Sequence, residues 1–352
     1  MDTLFAGQYD DRPPPYFAWG AKDDMRVSDD RVLGGVVFIG AVGDGRNFTP
    51  LGTGFIVVRM HEGFMFQNVI TARHVIEDID GDRVYVRANL KEGGTEIFYA
   101  RKLDWRFHPN VPNGHYIDVA VMPSTIPVDK FAIEHMKIED MLLDDKIIRE
   151  QNIGVGDDVN IVGLFTNHYG EDKNIPVVRS GTIAQMPQEP MRTEFGFMDG
   201  YLVEARSLGG LSGSPAFVQM TPWHITSDGQ PMMRRGKVWY FIGLMCGHWL
   251  VQNPEDAVAI PAGSRETGNI NTGIGIVVPA SKIMEVIDQP ELKNRRDEIV
   301  EAEKKKAKKT FTFDSAISKP STDKIRDGIL RTMLGTPPQP RIRSAKKRVK
   351  RK

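Results

Sequence analysis

Short runs of β-branched and aromatic residues, separated by turn residues, recur from Val32 onward through most of the chain. Runs of this kind are typical of β-strands when glycine-rich turns bound them. They predict strands at residues 36–39, 55–58, 68–71, 83–86, 96–100, 118–122, 159–164, 201–204, 238–244 and 273–278. Because many short strands favour a sandwich or a barrel over alternating βαβ units, the sequence predicts an all-β fold.

The predicted strands divide the chain into three parts. Residues 1–30 are rich in Asp, Pro and Gly and predict a surface arm. Residues 31–290 hold the strands, and Ile, Met and Leu spaced among charges at 131–151 favour a helix between two halves, about 31–150 and 151–290. Residues 291–352 begin with a polar, helix-favouring stretch that lacks an apolar stripe, and they predict a basic, largely disordered tail.

The formal net charge is zero, yet the charges are unevenly distributed. Residues 291–352 contain 20 Lys/Arg and 8 Asp/Glu, a net of +12, which leaves −12 on the rest of the chain. The run that begins at Arg341 and ends at Lys352 has eight basic residues in twelve. Such a run favours non-specific nucleic-acid binding or localisation, and a solvated, solubilising tail explains it equally well.

The cellular compartment is inferred from three features. The single cysteine, Cys246, cannot form an intrachain disulfide, which indicates a reducing compartment. No apolar run approaches the roughly 18 residues of a membrane span, and the acidic, Pro-rich segment after Met1 lacks a signal-peptide apolar region. We therefore expect a cytoplasmic protein, or a nuclear one in a eukaryotic host, without a membrane partner.

A serine among glycines is the first candidate for chemistry. Residues 209–215 read Gly-Gly-Leu-Ser-Gly-Ser-Pro and follow a predicted strand, so Ser212 lies in a turn too tight for bulky neighbours. Glycines let the backbone bend until the amides of Gly210 and Ser212 can point at one developing oxyanion. A serine hydroxyl needs a base to take its proton before it becomes a good nucleophile.

His74 and Asp118 are the candidates for the base and its partner. His74 follows the predicted strand at 68–71, which would hold its imidazole rigidly. Period-two alternation places Asp118 on the face shared by Ala120 and Met122, and a carboxylate in apolar company usually has a partner. An imidazole that acts as a base needs a carboxylate to fix its tautomer, so these residues predict a Ser-His-Asp triad.

Simpler interpretations exist for each residue alone. A serine between glycines is often a plain turn, a lone histidine is often structural, and Cys246 in an apolar strand is more simply a small buried side chain than a nucleophile. The other histidines lack the spacing of metal ligands, and no phosphate loop or dinucleotide fingerprint is present in the sequence. No cofactor and no metal are therefore expected.

Five segments in order carry motifs that together resemble the trypsin-like (chymotrypsin-fold) serine proteases, and most closely the disulfide-free bacterial Deg/HtrA branch. The order of the predicted triad, His then Asp then Ser, also agrees with that family. The segments read Leu-Gly-Thr-Gly-Phe-Ile at 51–56, Thr-Ala-Arg-His-Val at 71–75, Asp-Val-Ala-Val at 118–121, Gly-Leu-Ser-Gly-Ser-Pro at 210–215 and Gly-Ile-Gly-Ile-Val-Val-Pro at 273–279.

The resemblance implies two packed six-stranded antiparallel β-barrels, with His74 and Asp118 from the first, Ser212 from the second and the active site between them. It implies that the strand with Leu244, Met245 and Gly247 pairs with the backbone of a protein or peptide substrate. It also places Arg206 at the base of the specificity pocket, which would favour acidic side chains.

Two departures from the family are visible. Leu211 stands where enzymes activated by cleavage carry an aspartate, so zymogen activation of that type is not expected. The tail does not resemble the PDZ domain that usually follows in Deg/HtrA enzymes. The sequence thus predicts a serine endopeptidase. Two alternatives stay open: a catalytically silent peptide-binding module of the same fold, and a nucleic-acid-associated protein that acts through its tail.

Overall fold

The protein is described here from a computed structural model. The structure describes residues 30–43, 47–109, 114–134, 136–193, 195–205, 210–220, 223–225, 228–233, 238–251, 258–261 and 270–314. The predicted arm, Arg206 and the basic run from Arg341 to Lys352 lie outside these residues.

Eight strands of the first half form one sheet, in the order β5-β4-β1-β2-β3-β7-β6, with β8 paired to β2. Neighbouring strands on the main path are antiparallel, whereas β8 runs parallel to β2. The strands are β1 (Val36–Val42), β2 (Phe48–His61), β3 (Phe64–Thr71), β4 (Arg83–Asn89), β5 (Thr95–Arg101), β6 (Arg106–Phe107), β7 (Ala120–Ser124) and β8 (Met136–Lys137).

This sheet curls into a half-barrel, and over the described residues it does not close as the predicted first barrel would. Its two ends are β5 and β6. The chain between them turns through a 3-10 segment, Lys102–Asp104, in which Asp104 accepts from the backbone amide of Arg101 at 3.0 Å. Because β6 has only two residues, it offers too few ladder hydrogen bonds to bring the sheet round to β5.

The second half contains a closed six-stranded barrel, as predicted. Its strands follow the ring β17-β14-β9-β10-β13-β19, and β19 returns to pair with β17. Three strands, β12-β11-β18, extend from β17, and β15 pairs with β16 separately. The strands are β9 (Asp158–Gly163), β10 (Val177–Gln185), β11 (Met191–Thr193), β12 (Gly196–Met198), β13 (Tyr201–Glu204), β14 (Pro215–Met220), β15 (Trp223–Ile225), β16 (Pro231–Met233), β17 (Val238–Val251), β18 (Val258–Pro261) and β19 (Ile270–Pro279).

The two sheets share one large apolar core. Phe55 of the first sheet meets Phe241 of the barrel edge-to-face, with ring centroids 5.5 Å apart. Phe217 in turn packs on Phe241 at 5.6 Å, and all three rings are buried. A second buried cluster fills the barrel and includes Val159, Val203 and Tyr240. The ends of strands from both halves therefore lie over one shared apolar core.

Two short helices replace the single helix predicted at 131–151. Leu143 leaves the helical path because its amide donates to the carbonyl of Phe241 at 3.0 Å, and Asp144 then caps the next helix by accepting from the amide of Ile147 at 2.7 Å. The helices of the chain are α1 (Asp30–Gly34), α2 (Arg73–Glu77), α3 (Ile138–Met141), α4 (Asp145–Glu150), α5 (Ala280–Ile287) and α6 (Pro290–Asp314).

Helix α6 packs on the body although its sequence shows no broad apolar stripe. Leu292, Arg296 and Val300 recur every four residues, lie on one face and are all buried. Arg296 belongs to this face because its guanidinium donates to the Ile287 carbonyl and to Asp288, each at 2.7 Å. Among the described residues, the helices are too short or too polar to cross a membrane.

Candidate active site

His74 and Asp118 are brought together by neighbouring strands. Thr71 at the end of β3 pairs with Ala120 at the start of β7, so the residues just beyond these positions are adjacent. His74 Nδ1 lies 2.6 Å from Asp118 Oδ2, and the His74 backbone amide donates to Asp118 Oδ1 at 2.9 Å. His74 lies on α2, just after β3, as the sequence predicts. Asp118 lies just before β7, and not within the strand as the alternation predicted.

Asp118 is fully buried and is ionised by its partners. Burial by itself raises the pKa of a carboxyl. The charge of His74 opposes this, and so do hydrogen bonds from the His74 imidazole, the Cys246 thiol and the His74 backbone amide; together they hold the pKa of Asp118 below its usual value. A carboxylate held charged against an imidazole is the arrangement that stabilises an imidazolium.

Cys246 is a site residue that the sequence did not assign. Its thiol hydrogen-bonds the Asp118 carboxylate, and its sulfur and the ligand atoms of His74 and Asp118 all lie within 4.8 Å of one another. It lies on β17, only 3% exposed. The available signal was its position between Met245 and Gly247, in the strand predicted to run past the substrate.

The turn that carries Ser212 contacts the same cysteine. The Ser212 hydroxyl donates to the Cys246 carbonyl at 3.2 Å, and the amide of Gly213 donates to the Met245 carbonyl at 2.7 Å. Gly213 has φ +81°, and a Cβ there would lie 2.2 Å from the Thr53 carbonyl oxygen, so only glycine fits. Cys246 thus contacts the serine through its carbonyl and the aspartate through its thiol.

Thr53 fixes this turn to the first sheet. Its hydroxyl donates to the Gly210 carbonyl at 2.8 Å and accepts from the Leu164 amide at 2.8 Å. Its backbone amide donates to the Ser212 carbonyl at 2.8 Å. Thr53 is fully buried. Thr53, in the segment at 51–56, therefore holds the turn that carries Ser212 against the first sheet.

The predicted oxyanion hole and substrate strand are placed as follows. Gly210 has φ +96°, and a Cβ there would press within 3.0 Å of Thr166 and Leu164; the convergence of the Gly210 and Ser212 amides stays a prediction. Leu244 and Met245 are fully buried in β17. Gly247 pairs with β18 on one edge and with β19 on the other.

An aromatic stack lies over the imidazole and was not predicted. Phe195, between β11 and β12, stacks on His74 with ring centroids 5.9 Å apart and an interplanar angle of 17°. Its other neighbour is Tyr116, 4.9 Å away at 21°. Burial and the nearby Asp118 charge raise the pKa of the Tyr116 hydroxyl. Register across distant loops creates this stack, and no local sequence pattern indicates it.

In the part of the chain that the structure describes, two groups of side chains have ligand-type atoms close together: His74 with Asp118 and Cys246, and His61 with Glu62 and Asp297. In the first group, the 2.6 Å between His74 Nδ1 and Asp118 Oδ2 is a hydrogen-bond distance. Two ligands of one tetrahedral zinc ion lie about 3.3 Å apart. The first group is therefore arranged to share protons. In the second group, the carboxylate of Glu62 also pairs with Lys304 on the surface.

The contact between Cys246 and Asp118 predicts a difference between two variants. Cys246→Ala removes a donor to a buried carboxylate, so its free energy of unfolding at pH 7 is expected to fall about 1.5–3 kcal/mol below that of Cys246→Ser, which keeps a donor. Both lose the sulfur, which makes them a matched pair. Urea unfolding measures the difference, and an alanine variant as stable as the serine variant contradicts the contact.

Comparison with known proteins gives a structural likeness. No protein-family model matches the sequence, and no curated protein matches it. Among solved structures, the chain is similar to the protease domain of MamO from Magnetospirillum magneticum in its apo form, with 18% sequence identity and a TM-score of 0.42; the match covers 74% of this chain and 98% of that chain. This is a likeness of fold. The narrower relation to the Deg/HtrA branch stays a prediction.

Proposed function

We propose that the protein is a serine endopeptidase. The observation that carries the proposal is the buried His74–Asp118 pair, which the Cys246 backbone and thiol connect to the turn bearing Ser212. An imidazole whose Nδ1 is fixed by a carboxylate, together with a serine in a glycine turn, is the arrangement used for acyl transfer.

In the proposed reaction Ser212 Oγ attacks the carbonyl carbon of a peptide bond while His74 Nε2 takes the hydroxyl proton. The Gly210 and Ser212 amides stabilise the oxyanion. His74 returns the proton to the leaving amine, which yields an acyl-enzyme and a free amine. Water then attacks the ester carbon, with His74 again as base, and releases the acid and Ser212.

Asp118 and Cys246 support His74 in this scheme. Asp118 accepts from Nδ1 and stabilises the imidazolium that forms when Nε2 takes the proton. The Cys246 thiol satisfies the same carboxylate from another side, so the charge of Asp118 stays directed at the imidazole. Cys246 is a positioning residue here, since it acts through Asp118.

Labelling with a fluorophosphonate tests the proposal. The wild-type chain is expected to form one covalent adduct, located at Ser212, because an activated serine attacks phosphorus. Ser214→Ala is the matched control, since Ser214 lies in the same turn and is equally buried; it should still label, whereas Ser212→Ala should not. Mass spectrometry of the tryptic peptide measures the adduct. Absence of the adduct both in the wild-type chain and in Phe195→Ala, which removes the ring stacked on His74, would overturn the proposal in favour of the silent peptide-binding module.

The tail is assigned a partner only by its charge. We propose non-specific binding of nucleic acid through the run from Arg341 to Lys352, in a cytoplasmic or nuclear setting. The net charge of −12 on residues 1–290 disfavours contact elsewhere. Lys304 and Lys305 on α6 pair with Glu62 and Glu301, so this helix contributes less free positive charge than its sequence suggests.

A further inference from the structure

One edge of strand β17 has three successive neighbours, which are β14, the turn that carries Ser212, and β18. β14 occupies this edge from Val238 to Leu244. The serine turn follows, with Met245 bonded to Gly213 and Ser214, and Cys246 bonded to Ser212. β19 occupies the opposite edge from Gly243 to Val251. An extended peptide can therefore approach Ser212 along β17 only on the β14 side, beyond Cys246.

That position is taken by the chain itself. β18 pairs antiparallel with β17 in the register Gly247↔Pro261 to Leu250↔Val258. Because β19 fills the other edge at the same residues, β18 must lie on the edge that carries the serine turn. It begins one residue beyond Cys246, whose carbonyl accepts from Ser212, and so occupies the place where a substrate strand would add to the sheet.

β18 continues into a small sheet that crosses the site. Ala259 pairs with Thr193 of β11, and β11 pairs with β12. The far edge of β12 meets the first half, because Tyr116 donates its amide to the Phe197 carbonyl at 2.8 Å and Phe197 donates to the Gly114 carbonyl at 3.1 Å. We name β11, β12, β18 and the connecting Phe195 the cover.

The candidate triad is buried, and the cover lies against its imidazole. Ser212 and Asp118 are 0% exposed and His74 is 4% exposed, although a nucleophile and its base must touch a substrate. Phe195 lies directly on the imidazole. The stack is held by side chains at the tip of a short hairpin, where Thr193 Oγ1 donates to the Gly196 carbonyl at 2.8 Å.

We infer that the cover is an intramolecular inhibitor: β18 occupies the substrate edge of β17, and an extended peptide substrate must displace it to reach Ser212. This inference rests on the proposed function for its meaning and on β-strand pairing for its mechanism. A substrate that pairs antiparallel with Gly247–Leu250 replaces the hydrogen bonds of β18 one for one, so exchange of strands, with little net loss of pairing, opens the site.

The alkylation rate of the single cysteine measures opening of the cover and does not depend on catalytic activity. Cys246 directly precedes Gly247, where the pairing of β18 with β17 begins. It is 3% exposed and is the one thiol of the chain. In a Ser212→Ala background, Phe195→Ala and Ala259→Pro are expected to raise the rate of Cys246 alkylation by iodoacetamide about tenfold, because local opening exposes the thiol. Proline removes the β18 amide and cannot join a strand ladder from within.

Matched controls separate the cover from general loosening. Phe197→Ala changes the same hairpin but removes an exposed ring, and Ala259→Ser keeps the β18 amide; both should alkylate at the parent rate. Thermal unfolding by circular dichroism confirms that each variant is folded, and Phe195→Leu replaces Phe195→Ala if it is not. Equal alkylation rates in folded Phe195 and Ala259 variants and in the parent would overturn the inference.

Fluorophosphonate labelling of the same substitutions with Ser212 intact distinguishes the two proposals. Faster alkylation together with faster labelling supports both. Labelling at Ser212 with unchanged alkylation rates removes the cover and leaves the peptidase. Faster alkylation without labelling in any variant supports the cover and contradicts the peptidase proposal. The protein would then be a peptide-binding module whose groove is filled by its own strand β18.

Discussion

Ser212→Ala lowers kcat for a peptide substrate by about a millionfold if Ser212, His74 and Asp118 work as one unit. The physical reason is that, in the proposed mechanism, the Ser212 hydroxyl gives its proton to His74 and its oxygen carries the acyl group. Single-turnover cleavage of an internally quenched peptide measures the loss. The remaining rate comes from binding and from the oxyanion donors alone.

Two further variants show whether the residues act together. His74→Ala in the Ser212→Ala background should cost little more, since the base has no proton left to take. Ser214→Ala should keep most of the activity. A Ser212→Ala variant with undiminished turnover would show that the hydroxyl has no covalent part, and equal losses in Ser212→Ala and Ser214→Ala would indicate damage to the turn as a whole.

Asp118→Asn lowers kcat by about ten-thousandfold, the second largest effect expected. An asparagine oxygen can accept from only one of the two donors of His74, whereas its NH2 group favours the tautomer with the proton on Nε2, which cannot act as a base. The geometry survives because the side chains are of equal size. A pH profile of kcat/KM, compared with that of the wild-type chain, measures the effect, and wild-type turnover would contradict it.

The same substitution also changes the pH dependence of stability. Because the pKa of Asp118 is lower in the folded chain than the ordinary value of about 3.9, the carboxylate contributes stability above that value. The contribution is lost as the pH falls through the folded pKa. Urea midpoints between pH 7 and pH 3 should therefore fall more steeply for the wild-type chain than for Asp118→Asn.

The sequence predicts most strands well because each is decided locally. The runs at 36–39, 68–71 and 201–204 lie within β1, within β3 and along the whole of β13. The first two runs are buried on both faces, and the third is buried on one face. His74 and Asp118 also follow from local patterns, and the structure places them 2.6 Å apart. The predicted first barrel fails for a local reason as well, since the ladder at Arg106–Phe107 is too short.

The parts that sequence patterns miss depend on register between distant segments. Phe195 reaches His74 because β12 pairs with Gly114–Tyr116, and the register of β18 on β17 is a pairing that the local sequence does not indicate. The burial of Arg296 is missed for a related reason, since its charge is satisfied by the end of α5. Charge and hydropathy alone therefore predict that this face of α6 lies in solvent.

The hydroxyl of Thr53 hydrogen-bonds two residues that each lie more than 100 positions away from it in sequence, Leu164 and Gly210. A strand of the first half therefore supports the turn of the second half that carries Ser212. We therefore expect that neither half forms the proposed active site when it is expressed alone. Loss of activity on heating should coincide with unfolding of the whole chain. Evolution of this chain would then proceed by changing its loops, with the two halves inherited as a single unit.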